Sequence, residues 1–201
     1  MVTLGAHTAI GAAQAVLALT WKNPLGIAIG IACGVAGKQI PVLRVVAGTL
    51  AAIHLVSWDR SLDTFPQDVF GMGAVAGSCR VARTNSHLTG GLTPPSVLGS
   101  LDDVEARVLR FIRQDEMGRT GVLRQTRGTD SAGRATAFVH SRHVSLVFGF
   151  ADDMFVQITE EGNKKCLVEY QGQLRLGGGD LGVNQGRAKR LFAYLQDTPK
   201  M

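Results

Sequence analysis

No aspartate or glutamate occurs in the first 58 residues, although the chain of 201 carries 16 of them. The only formal charges in that stretch are Lys22, Lys38 and Arg44. A chain that needs water around most of its surface seldom goes so far without an acid, so the opening quarter is expected to lie in an apolar environment. Three weakly polar runs make it up: Val2–Trp21, Pro24–Gly37 and Pro41–Trp58. Each separator, Lys22-Asn23-Pro24 and Lys38-Gln39-Ile40-Pro41, joins a cation to a proline. Proline suits the first turn of a helix and stops the one before it. Lysine can carry its charge to a headgroup while its stem stays apolar. Trp21 and Trp58 close the outer runs, where interfacial aromatics are common. A spanning helix needs about 20 residues. The first and third runs reach that length and the second falls short, so two spanning helices are expected, with a third that spans or dips. The competing reading is a helical hairpin buried in a soluble core. No basic stretch precedes the first run and two further apolar runs follow it, which argues against a cleaved secretory signal.

Gly26, Gly30 and Gly34 recur every fourth residue in the second run and fall on one helix face. Two readings stand side by side: a packing face for a membrane partner, or a seam against the neighbouring helices of the same chain. His54 is isolated and is read as bonded to a neighbouring helix. The net charge of +5 and pI near 9.4 come largely from the three cations of the apolar part. Residues 59–201 hold the other 18 basic residues and all 16 acids, mixed in sign. With 12 aromatics and no clustered basic stripe, no nucleic-acid partner is expected. Cys33, Cys79 and Cys166 are too few and too scattered for a disulfide framework or a zinc site.

The remainder divides in two. Residues 59–100 read as an irregular connector of small and turn-forming residues, which wraps over its own domain or lies on a partner. Residues 101–201 read as an α+β domain in two layers. Ser100-Leu101-Asp102-Asp103 forms a capping box. Leu101, Val104, Val108, Phe111 and Ile112 share one face of the helix that follows. Strands are expected at Gly121–Arg127, Ala135–His143, Val144–Phe148, Met154–Glu160 and Lys165–Gln171. The short turns at 130–133 and 161–164 imply antiparallel pairing. A last helix is expected from about Gln185 to Gln196, after a glycine-rich turn.

Two stretches carry a resemblance. In FVHSRHVSLVFGFADDMFVQI (138–158) the relevant positions are His140, Ser145, Phe148, Gly149, Phe150, Asp152 and Asp153. In LRLGGGDLGVNQGRAKRL (174–191) they are Arg175, Gly177, Asp180, Leu181, Gly182, Asn184 and Arg187. Together they resemble the family catalogued as domain of unknown function 1499, over about residues 100–197. The resemblance implies the domain and these motif residues, but no established activity; members often carry membrane segments and occur in bacteria and photosynthetic eukaryotes. The sequence departs from the family pattern at Gln171 and Gly172, where an Arg-Ser pair is usual, and at Arg142 and Val144. This thinning of the polar motif favours a binding or structural role over catalysis.

The residues themselves allow two chemistries. Asp152, Asp153 and Asp180 beside His140 and His143 are donor types for a divalent metal or for acid–base work. Adjacent residues of a strand point to opposite faces, however, which separates Asp152 from Asp153 and His140 from His143. The preferred reading therefore pairs Asp152 and Asp180 with backbone amides or with Arg175 and Arg187. The Gly177–Gly179 turn lacks the lysine and hydroxyl of a phosphate loop. No metal, no cofactor and no catalytic residue is expected. Two functions follow. The first is a non-catalytic accessory subunit, anchored by its apolar helices among other membrane-protein subunits and lipid; the family's range points to a photosynthetic or respiratory membrane, organellar or bacterial. The second is a membrane-anchored carrier or enzyme for an amphipathic ligand, held by the three aspartates beside Phe148 and Phe150.

Overall fold

The computed structural model describes residues 5–20, 24–56, 61–70, 76–114, 120–145, 150–175 and 179–197. They fall into two compact units: residues 1–59 with 144–151, and residues 60–143 with 152–201.

The first unit holds three helices, α1 (Ala6–Thr20), α2 (Pro24–Ala36) and α3 (Val42–Val56). Proline opens α2, where its missing N–H is unneeded. Arg44 caps the other end: its Nε donates to the Gly37 carbonyl at 2.5 Å and its guanidinium reaches the Lys38 carbonyl. The expectation of spanning helices needs correction. The helices have 15, 13 and 15 residues, or roughly 20–22 Å at 1.5 Å per residue, against a hydrocarbon core of about 30 Å. Among the described residues, no helix is long and apolar enough to cross a membrane. The cation–proline separators divide one apolar stretch into pieces that pack on each other instead.

Glycine makes that packing close. A Cβ on Gly11 would stand 2.5 Å from the Gly30 carbonyl oxygen, and one on Gly30 would stand 2.6 Å from the Ala15 nitrogen. Gly26 is also buried, its carbonyl accepting from Gln14 Nε2. The glycine stripe thus serves a seam between α1 and α2 of the same chain. Gly34 meets α1 only through its backbone, because a Cβ there would touch nothing within 4 Å.

The second unit is α+β. Its strands are β1 (Ser78–Val81), β2 (Ser96–Leu98), β3 (Thr120–Thr129), β4 (Ala135–Val144), β5 (Ala151–Gly162) and β6 (Lys165–Leu174), with helices α4 (Leu101–Gln114) and α5 (Val183–Asp197). The sheet runs β1-β6-β5-β4-β3, and β2 also pairs with β6. The pairs β1–β6, β2–β6, β3–β4 and β5–β6 are antiparallel. Asn163 and Lys164 both have positive φ (52° and 53°), which matches the turn to the right-handed twist of β5 and β6. At the β3–β4 turn Asp130 accepts the amides of Ala132 and Arg134.

The capping box at α4 forms as expected: Ser100 N–H and Oγ–H donate to Asp103 Oδ2, and Asp103 N–H donates back to Ser100 Oγ. One sheet face carries the core. Val139, Met154, Val156, Ile158, Val168 and Tyr170 pack there with Val104, Val108 and Ile112 of α4 and Leu191 and Leu195 of α5.

One expectation is corrected and another falls largely on residues outside those described. Residues 59–100 include β1 and β2, which are too short, at four and three residues, to show a period of two. Of the strand expected at Val144–Phe148, Val144 closes β4 and residues 146–148 lie outside the described residues.

Candidate functional site

Alternation along each strand gives the sheet a second face that is buried yet polar. Where Ala137, Val139, Met154, Val168 and Tyr170 face the helices, their neighbours Phe138, His140, Arg142, Asp153, Phe155, Gln171 and Gln173 face the other way. Arg80 joins them from β1. Asp153 is the centre of this face and is wholly buried. Its Oδ1 lies 2.8 Å from Arg142 Nε and 3.1 Å from His140 Nε2, and its Oδ2 accepts from Arg175. Burial alone would push the carboxyl up. The hydrogen bonds from His140 and Arg142, with the Arg142 charge, outweigh it and hold the group down at about 2. One carboxylate thus serves two guanidinium groups and an imidazole.

The imidazole is fixed from both sides. Leu62 N–H donates to His140 Nδ1 at 3.1 Å, while Nε2 on the other side lies 3.1 Å from Asp153 Oδ1. The Phe155 ring lies 4.4 Å away, centroid to centroid. An Asp–His pair acts as a base only when the far nitrogen faces a nucleophile or substrate. Here the far nitrogen, Nδ1, accepts a backbone amide.

The segment that supplies Leu62 covers the polar face. Residues 61–70 have no regular secondary structure, and their backbone is tied down by sheet side chains. Thr126 Oγ1 donates to the Asp63 carbonyl, Arg80 to that of Pro66, Gln171 to that of Asp68 and Gln173 to that of Phe70. The connector therefore wraps over its own domain, one of the two placements open to it.

The motif residues divide among different jobs. Asp152 points to the helix face, 3.6 Å from Arg187 of α5, so Asp152 and Asp153 separate as the strand geometry requires. Arg187 also donates to Asn184 Oδ1 at 2.7 Å. Asn184 Nδ2 donates to the Gly77 carbonyl, and the buried Tyr170 hydroxyl, its pKa raised by burial, donates to the Asn184 carbonyl. Gly172 leaves room for this arrangement, since a Cβ there would come 2.7 Å from Asn184 Oδ1 and closer still to the Tyr170 hydroxyl. Asp180 caps α5, accepting the amides of Gly182 at 3.0 Å and Asn184 at 2.7 Å. Gly182, at φ 79°, sits in the turn that this cap closes. Arg175 binds Asp153. Ser145 accepts the Phe150 amide at 3.0 Å, closing a local loop. Phe148, Gly149 and Gly177 lie outside the described residues.

The three aspartates do not converge, and His143 bonds Thr120 Oγ1 at 2.8 Å. Among the described residues no three His, Cys, Asp or Glu side chains could hold a metal ion. The residues that sequence reasoning passed over are Arg80, Gln173 and the 61–70 backbone. The available signal was the polar alternation Glu169, Gln171, Gln173, which marks a polar face in a strand already expected.

Comparison with known proteins adds one match: the model of the family described as a protein of unknown function (DUF1499) covers residues 93–195, about half of the chain. No curated protein and no solved structure matches.

Proposed function

This chain belongs to the DUF1499 family, and we propose for it a non-catalytic role as an accessory subunit of a membrane protein assembly. The observation that carries this reading is the surface of the helical unit. Val35 is 78% exposed, Val45 68% and Val16 63%, and Ile31 and Val42 are also more than half exposed. No carboxylate lies anywhere in residues 1–58 to keep that surface in water. Exposed apolar side chains in this number, with no acid among them, support a contact role for the helical unit. Helices of 13–15 residues suit docking among longer helices of other subunits and lipid better than spanning alone. The second unit supports the non-catalytic half of the reading. Its strongest charge cluster is buried, and the Nδ1 of His140 accepts a backbone amide of the chain's own connector.

Native electrophoresis after mild solubilisation of the source membrane tests the proposal. The expected result is migration in a complex several times the 21.3 kDa of the chain. Migration only at the monomer mass would overturn it.

A further inference from the structure

We infer that the polar face of the sheet is a peptide-binding surface, that residues 61–70 are its resident ligand, and that a segment of a partner polypeptide with the same acid and aromatic spacing can take their place. The inference concerns the second unit alone and goes beyond the docking of the helices.

The contacts are those of peptide recognition. Four side chains of the sheet donate to four carbonyls of the segment, at Asp63, Pro66, Asp68 and Phe70, and one side chain accepts an amide, at Leu62. These groups belong to every peptide. The segment has no ladder of its own with the sheet, so it is held by side chains reaching up to a backbone. Side-chain identity is read at three places. Asp63 pairs with Arg124 of the edge strand β3. The Phe65 ring lies under the Arg80 guanidinium, 4.8 Å from carbon to centroid. The Phe70 ring lies against Phe155 at 5.9 Å. The surface therefore selects a segment that bends as the resident does at residues 63–64 and 67–68, with an acid two residues before one aromatic and a second aromatic five residues after it. Modular peptide-binding domains divide the labour in the same way, backbone bonds for affinity and a few pockets for selectivity.

The resident is also exchangeable on physical grounds. What it covers is mainly a row of arginine, glutamine and histidine side chains, with the Phe155 ring among them, and each neutral bond to them contributes only modestly against water. The hydrophobic core lies on the opposite face, against α4 and α5, and is untouched when the segment lifts. Phe70 remains 39% exposed, so the aromatic anchors are incompletely buried. Beyond Asp63 and Thr64 the groove continues as a cavity of about 380 Å³ bordered by Arg127, Thr136 and Gln157, leaving room for a longer ligand than the resident.

The test uses the full chain with Phe65→Ala and Phe70→Ala, which loosens the resident, and a fluorescent peptide of sequence SLDTFPQDVF. Saturable anisotropy is expected with the loosened chain, and at least about tenfold weaker binding to the unaltered chain, whose own segment competes. Adding Gln171→Ala should weaken peptide binding by about tenfold, and a peptide with both phenylalanines replaced by alanine should not bind. A loosened chain with unchanged circular dichroism that takes up no peptide would overturn the inference, as would binding indifferent to Gln171. If the loosened chain does not fold, hydrogen exchange of the unaltered chain decides. The Leu62 amide should exchange well before the amides of β5 and β6; exchange only together with them sinks the idea.

Discussion

Asp153 shows how one residue can hold a buried charge cluster in place. It is the shared acceptor for Arg142, Arg175 and His140, and without it two guanidinium groups would face each other in a dry layer. Asp153→Asn is therefore expected to lower the stability of the second unit by about 3–5 kcal/mol, the usual cost of removing one partner from a buried charged set. Asp152→Asn should cost less, because the Arg187 contact is longer, at 3.6 Å, and Asp152 is not fully enclosed. Urea unfolding followed by near-ultraviolet circular dichroism compares the two; equal losses would contradict the assignment. The pH dependence follows from the same geometry. The carboxyl of Asp153 is depressed from 3.8 to about 2 in the folded chain. A depressed acid stabilises the fold fully above its unfolded value, and that contribution is lost as the pH falls from about 4 towards about 2. The unfolding midpoint should drop across that window, and by less in Asp153→Asn.

Among the elements, the α1–α2 seam separates glycines that look alike in the sequence. Gly30 and Gly34 occupy the same helix stripe, yet a Cβ on Gly30 meets the α1 backbone and one on Gly34 meets nothing. Gly30→Ala should destabilise the helical unit by about 1–3 kcal/mol through overpacking. Gly34→Ala should be neutral or stabilising by up to about 1 kcal/mol, since alanine is the better helix former. Thermal unfolding by circular dichroism in mild detergent distinguishes them; a loss for Gly34→Ala equal to that for Gly30→Ala would show that the stripe packs as a whole. The same scale explains where pattern reading worked. The capping box at Ser100, the apolar face of α4, the turns at 130–133 and 161–164 and the helix after Asp180 each have a short-range cause that local sequence carries. The short strands β1 and β2 do not. Both exist because β6 offers each of them a length of edge, which is a long-range partner that no local window contains.

For the whole molecule, the two units differ in what they leave exposed. The helical unit presents valines and isoleucines, and the second unit presents a mixed polar surface. If the helices dock in an assembly, Val35→Glu with Val45→Glu should leave the fold intact, since both side chains are largely exposed, while abolishing migration in the larger complex. Retention of the complex by that variant would move the contact elsewhere. The sequence by itself determined the helical character of the apolar runs, the α+β class of the rest and the separation of Asp152 from Asp153, because charge patterning and the period of a strand act locally. Only the tertiary structure decided that the apolar runs fold into short helices packed through glycine, and that residues 61–70 lie across the polar sheet face. Only it, too, brought Arg142 and Arg175 to the same carboxylate. Those outcomes rest on close approach between segments far apart in the chain, which is a matter of shape and of buried charge finding its counterpart.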